Sequence, residues 1–199
     1  RDCFFHFLPV HHRTIVNLAN STASIDNIEV NGGGVGVNIF GDDERTNCTL
    51  TNSRLMNTVH SGVLVFYSDS VLIADNEFTR SPINIEEYVL GNITGVTIED
   101  NLIEAWEFGI YFWAGSNSTI QNNIVRDNFS GGIYLGADAD CPEPPTPACL
   151  FATGNVVTGN TVTGNPVDLS HHPNALGNTW TDNVCTTTDG SEIPPCIPP

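Results

Sequence analysis

Carboxylates and aromatic rings recur together along this chain at intervals of roughly one repeat. Asp42 and Asp43 form one group, Tyr67 marks the next, Glu86, Glu87 and Tyr88 follow, then Tyr111 with Trp113, and then Tyr134. An aromatic ring covers the apolar face of a pyranose and a carboxylate accepts hydrogen bonds from hydroxyls, so this combination suits a sugar-binding face. Paired carboxylates roughly 5 to 10 Å apart could also cleave a glycosidic bond, which makes Asp42, Asp43, Glu86 and Glu87 the catalytic candidates. Asp138, Asp140 and His171 are the candidate metal ligands, and calcium is the candidate ion for an oxygen-rich set. His171 and His172 are adjacent and would point to opposite faces of a strand, so both cannot readily serve one ion.

Side chains this far apart in sequence share a face only if the chain stacks in register. The phrase T-I-E-D-N-L-I-E-A-W-E-F-G-I-Y-F begins at Thr97, and T-I-Q-N-N-I-V-R-D-N-F-S-G-G-I-Y-L begins 22 residues later at Thr119. Seven such lines can be laid down, opening at Ile25, Leu50, Ile73, Ile98, Ile120, Val157 and Ala175. Three residues into the last five lines stand Asn76, Asn101, Asn123, Asn160 and Asn178. A second apolar pair at period two follows in six lines, from Val37 and Ile39 to Val167 and Leu169, which is the alternation of a strand with one buried face.

Two or three short strands per repeat, with no helix between them, describe a coil of parallel strands lying on the coil beneath. At about 4.8 Å per coil, seven coils make a rod on the order of 34 Å long. An Asn at the sharp turn tolerates left-handed backbone, and its amide can bond to the Asn above and below. Asn128, Asn165 and Asn183, each five residues beyond a line Asn, suggest a second, partial ladder.

The composition agrees: 22 Asn, 20 Thr and 18 Gly are a poor alphabet for long helices. A net charge of −17, with six Arg and no Lys, opposes nucleic acid and anionic lipid as partners. No run of 18 apolar residues exists, so no membrane insertion by a helix is expected. The six cysteines lack metal-type spacing and predict an oxidising compartment with up to three disulfides. Cys141 with Cys149 and Cys185 with Cys196 would close short Pro-containing loops, leaving Cys3 with Cys48. Among the sequons, Asn92 and Asn117 fall in turns and are the expected glycosylation sites, whereas Asn128, if it joins the partial ladder, faces inward.

Laid out in this way, residues 24–185 resemble the right-handed parallel β-helix repeat proteins of the pectate-lyase-like superfamily, through the I-x-x-N-x-[IV] phrase with G-I-Y-[FL]. The resemblance implies an all-β fold, a single-stranded right-handed parallel β-helix of about seven coils with an Asn ladder. For activity it implies lyases, hydrolases and epimerases of acidic polysaccharides, beside adhesins, phage spikes and surface proteins. The polygalacturonase-like motifs Asn-Thr-Asp, Gly-His-Gly and Arg-Ile-Lys are missing, and only the Asp pair, Asp42 and Asp43, is present. Lyases resembling pectate lyase use an Arg base, but Arg54, Arg80 and Arg126 stand at offsets four, seven and six in their lines and share no column.

The expected organisation is an N-terminal cap over residues 1–23, the β-helix over 24–185 with an inserted disulfide loop near 138–149, and a Pro-rich tail over 186–199. The expected function is a secreted or cell-surface module presenting a long acidic and aromatic face to polysaccharide or protein, without catalysis. The alternatives are a lyase or hydrolase acting on a uronic polysaccharide, and a subunit of a homo-oligomer or filament built through unpaired strand edges.

Overall fold

The structure is a computed structural model, and it describes residues 3–6, 14–19, 22–41, 47–86, 93–113, 115–137 and 151–199. Strands β1 (Cys3–His6) and β2 (Thr14–Ala19) precede six complete coils of three strands each among the described residues. The first two coils are β3 (Ala23–Asp26), β4 (Ile28–Asn31), β5 (Val35–Phe40) and β6 (Cys48–Thr51), β7 (Arg54–Met56), β8 (Ser61–Phe66). The middle two are β9 (Leu72–Ala74), β10 (Glu77–Thr79), β11 (Ile83–Ile85) and β12 (Thr97–Glu99), β13 (Leu102–Glu104), β14 (Phe108–Trp113). The last two are β15 (Thr119–Gln121), β16 (Ile124–Arg126), β17 (Gly131–Gly136) and β18 (Val156–Thr158), β19 (Thr161–Thr163), β20 (Leu169–His171). β21 (Thr179–Thr181) and β22 (Thr188–Asp189) belong to a partial seventh coil.

Three parallel sheets run the length of the rod, with seven strands in the β1-to-β19 sheet, eight in the β2-to-β22 sheet and seven in the β3-to-β21 sheet. Each sheet turns apolar side chains inward in columns, one in each seven-stranded sheet and two in the eight-stranded one. Leu50, Ile73, Ile98, Ile120 and Val157 stack in one column, Leu55, Phe78, Ile103, Val125 and Val162 in the second, and Val63, Ile83, Ile110, Ile133 and Leu169 in the third. All are buried. Burying each Ile, Leu or Phe contributes about 2 kcal/mol, so the repeated apolar letters hold the coils together.

The corners show how Asn is used. Asn27, Asn52, Asp75, Asp100, Asn122 and Asp182 have φ between 49° and 56°, so the left-handed residue is the one before the ladder position and not the ladder Asn itself. That corrects the expected role. The ladder Asn serves through its side chain: the Nδ2 groups of Asn76, Asn101, Asn123 and Asn160 each donate to the Oδ1 of the Asn in the next coil at 3.0 Å. They also donate to buried carbonyls of the preceding coil, those of Leu50, Ile73, Ile98 and Ile120. The column therefore satisfies backbone groups that would otherwise be buried without partners.

The last lines of the expected register are corrected. Val157 pairs with Trp180, and Asn160 bonds to Asn183, so the seventh line opens at Trp180 and not at Ala175. Asn178 belongs to another corner, where it follows Ser118 and Asn155. Leu169 and His171, not Val167 and Leu169, continue the inward pair of Ile133 and Leu135. The second ladder runs Asn128, Asn165, Asp168, without Asn183.

β1 pairs with β4 and β2 pairs with β5, both in parallel, so these two strands extend two of the sheets by one strand each. At the other end a Cys185–Cys196 disulfide, with Cα atoms 5.1 Å apart, holds the tail, and Ile197 bridges to Val184. Closing a loop of this length is worth about 3 kcal/mol, so Cys196→Ser is expected to lower the urea midpoint by that equivalent, and reduction of the native protein should do the same. Cys48 is buried; Cys141, Cys149 and the side chain of Cys3 lie outside the described residues. The insertion near 138–149 also lies outside them, and its flanks meet in an antiparallel bridge between Ala137 and Phe151.

Candidate functional site

Ile110 and Phe112 point into the core, and strand alternation therefore turns Tyr111 outward. On the outer face of the eight-stranded sheet its column reads Leu64, Asn84, Tyr111, Tyr134, Ser170. The Tyr111 and Tyr134 rings stack with centroids 5.3 Å apart. Trp113 lies nearly parallel to Tyr111, at 5.9 Å and 16°, and Phe108 closes the group at 5.5 Å from Tyr111 and 5.9 Å from Tyr134. Burial pushes the Tyr134 phenol pKa upward.

Two glycines in the neighbouring coil make this arrangement possible. A Cβ on Gly131 would stand 2.8 Å from the Phe108 ring, and one on Gly136 would stand 2.7 Å from the Trp113 ring. The rings thus lie across bare backbone.

Beside the stack is a cleft of about 440 Å³ lined by His60, Pro82, Asn84, Glu86, Trp106, Glu107, Phe108, Tyr111 and Trp113. It sits where β11 contributes three residues between strands of six. Pro82 has no N–H to enter the sheet ladder, and β11 begins only at Ile83. Asn84 donates from Nδ2 to the Ser61 hydroxyl at 2.8 Å, which fixes its amide orientation. Trp106 extends the aromatic surface toward Phe129, its ring 6.3 Å away edge-on, and Phe129 is 65% exposed. The cleft thus offers flat apolar rings, two carboxylates and an oriented amide.

The expected site residues divide clearly. Tyr111, Trp113 and Tyr134 come together, and Glu86 borders the same cleft. Tyr67 belongs to a separate cluster, edge-on to Phe40 at 5.7 Å and beside Phe66. Asp42, Asp43, Glu87, Tyr88, Asp138, Asp140 and Asn92 lie outside the described residues. Asn117 is exposed in a turn, with φ 49°, and Asn128 is buried.

His171 is not placed to bind a metal. Its Nδ1 donates to the His172 carbonyl at 2.8 Å, and its Nε2 accepts the Glu192 amide at 3.3 Å, so both ring nitrogens are used within the fold. Among the described residues no group of three or more His, Cys, Asp or Glu is arranged to hold a metal ion. Asp168, which the expected inward pair Val167 and Leu169 would have turned outward, is buried. Its Oδ1 accepts from the Asn165 amide and side chain, and its Oδ2 accepts from the Thr186 amide and hydroxyl and from the Thr187 amide.

Trp106, Glu107 and Phe108 had not been singled out from sequence. Trp106 and Glu107 form the corner that leads into β14, which Phe108 opens, where the fifth coil has N-F-S-G. An aromatic residue in both corners was the available signal.

A family model described as "Right handed beta helix region" matches residues 14–192. Among solved structures the chain is similar to the tailspike protein of E. coli bacteriophage HK620. A double mutant of that tailspike, in complex with a pentasaccharide, superposes with a TM-score of 0.55 at 17% identity, covering 92% of this chain and 36% of that one. A single mutant, also in complex with pentasaccharide, gives 0.52 at 16%, covering 87% and 34%. The chain thus spans about a third of the length of these tailspikes, and the likeness is one of fold. No curated protein matches it by sequence. The three parallel sheets, the stacked apolar columns and the family match over residues 14–192 together make this chain a member of the right-handed β-helix family.

Proposed function

We propose that this protein is an extracellular glycan-binding β-helix module that seats part of an oligosaccharide in the cleft on its eight-stranded sheet. The stacked Tyr111–Trp113 pair beside Glu86 and Asn84 carries the proposal. The rings cover the apolar face of a sugar, while Glu86, Glu107 and the Asn84 carbonyl accept hydroxyl hydrogen bonds. A cleft of about 440 Å³ is in the range of small-ligand sites. The pentasaccharide complexes of structurally similar tailspikes support the reading at the level of fold. The Cys185–Cys196 disulfide supports an oxidising, extracellular setting.

A glycan array followed by calorimetry on the retained sugar tests it. Trp113→Ala and Tyr111→Ala are each expected to weaken binding about 10- to 30-fold, the equivalent of roughly 1.5 to 2 kcal/mol of lost stacking and burial, without a matching fall in melting temperature. An array on which nothing is retained above background would sink the proposal.

A second reading rests on Glu86 and Glu107 bordering one cleft, since two carboxylates facing a sugar can hydrolyse it. Release of reducing ends that disappears in Glu86→Gln would replace the binding module with a hydrolase.

A further inference from the structure

The corner between β13 and β14 departs from the pattern of its neighbours. From the second coil to the sixth, the residue that follows the left-handed corner position is Thr58, Ser81, Trp106, Asn128 and Asn165 in turn. The four polar members are buried, and the side-chain oxygens of Ser81, Asn128 and Asn165 accept backbone N–H groups of the preceding coil, those of Thr58, Trp106 and Asn128. An indole has no oxygen with which to accept such a bond, so the column is interrupted at the fourth coil. The Trp106 ring instead faces the cleft and Phe129. A local rule broken at one coil of a repeat marks a position set by its surface role and not by folding.

Phe129 is 65% exposed, and its turn is clamped to the Trp106 turn. The Phe129 N–H donates to the Trp106 carbonyl at 2.7 Å, and the Ser130 and Gly131 N–H groups donate to the Glu107 carbonyl at 2.8 and 3.1 Å. The ring is thus presented on fixed backbone, which keeps the ordering cost of binding low. A single exposed Phe needs no explanation. This one continues the wall of the cleft, because Trp106 both lines the cleft and packs edge-on against Phe129 at 6.3 Å.

Resting on the glycan-binding reading, we propose that Phe129 is a second sugar subsite outside the cleft, reached only by an oligosaccharide long enough to leave the cleft over Trp106. The cleft seats one part of the chain, and the Phe129 ring covers the apolar face of a further sugar across the corner between the two sheets. The preferred ligand is therefore a glycan chain, selected for length as well as for composition.

The test measures by calorimetry the affinity of the full chain for a length series, disaccharide to octasaccharide, of the glycan that an array retains. Affinity is expected to rise in a step once the sugar chain reaches the corner. Phe129→Ala should remove that step, weakening the long members about fivefold to tenfold and leaving the short ones within about twofold. Phe129→Tyr keeps a ring and should keep the step, and equal melting temperatures of the three proteins would exclude a folding effect. No step, a step that persists in Phe129→Ala, or a loss equal at every length would overturn the subsite while leaving glycan binding in place. Sedimentation showing a dimer that Phe129→Ala dissolves would overturn it as well, by assigning the ring to a second copy of the chain. No glycan retained on the array would remove the reading of the cleft, and the subsite with it.

Discussion

Asp168→Ala is expected to destabilise the C-terminal coils by about 3 to 5 kcal/mol, visible as a large fall in the urea midpoint. The carboxylate is buried and accepts five hydrogen bonds, from the Asn165 amide and side chain, the Thr186 amide and hydroxyl, and the Thr187 amide. Alanine would leave the Asn165, Thr186 and Thr187 amides without that partner inside the protein, while the Asn165 side chain keeps the Val125 and Thr163 carbonyls. Burial alone would raise the Asp168 pKa, but the Thr186 hydroxyl and amide and the Asn165 donors outweigh it and hold the pKa below its ordinary 3.8. A lowered folded-state pKa sets the sign: the stabilisation is complete above the unfolded-state value and is lost as pH falls through the folded-state value. Urea titrations of the wild type and of Asp168→Asn should therefore differ most at neutral pH and converge in strong acid. A gap that stays constant from pH 7 to pH 2 would rule out the charged form as the source.

A mid-ladder change should be comparably severe. Asn123→Leu keeps much of the volume but removes every polar group of the side chain. Asn123 donates from Nδ2 to the carbonyls of Ile98 and Gln121 and to Asn160. Its Oδ1 accepts from the Asn101 amide and side chain. Buried groups on both sides would be left unsatisfied, at an expected cost of about 3 to 5 kcal/mol. The chain itself indicates a milder substitution: at Ser53 the hydroxyl takes the Ile28 amide and donates to the Thr51 carbonyl. Asn123→Ser should thus lose distinctly less than Asn123→Leu, and amide exchange at Asn101 should rank the two variants in that order. Equal losses would mean that volume, and not hydrogen bonding, governs the position.

These two residues also mark how far the sequence could be followed. Asn123 was legible because its coil repeats a phrase whose inward letters, Ile98 with Ile120 and Ile103 with Val125, must face each other to be buried. Asp168 was not. It falls between Val167 and Leu169, which imitate an alternating strand, whereas the observed register starts at Leu169. The seventh line failed for a related reason: Asn178 and Asn183 serve two different corners, and a pattern that records only residue type cannot tell them apart. At the cleft, alternation about Ile110 and Phe112 predicted the outward Tyr111 and Trp113. Trp106 and Glu107 sit on a corner, where side-chain direction follows the path of the turn and no period applies, and Phe108 opens β14 out of step with the inward Ile110 and Phe112. His171 has the composition of a ligand, and only the packing of Glu192 and His172 around it shows that its nitrogens are spent.

The amide columns also have a sense. In the buried ladders the earlier coil donates and the later one accepts, from Asn76 through Asn183, from Asn155 to Asn178, and from Asn128 to Asn165, which in turn donates to Asp168 of its own coil; the exposed pairs Asn38 with Asn17 and Asn57 with Asn31 run the other way. Aligned amides add their dipoles, as peptide groups do along a helix, so each buried column is positive toward the C-terminal end of the rod. Asp168 stands at that positive end of the column from Asn128, and its anion is favoured by the stack as well as by its immediate donors. The rod is therefore electrically directional along its core. A further coil could continue the column that ends at Asn183 only in the same sense, because two such ends brought together would set donor against donor.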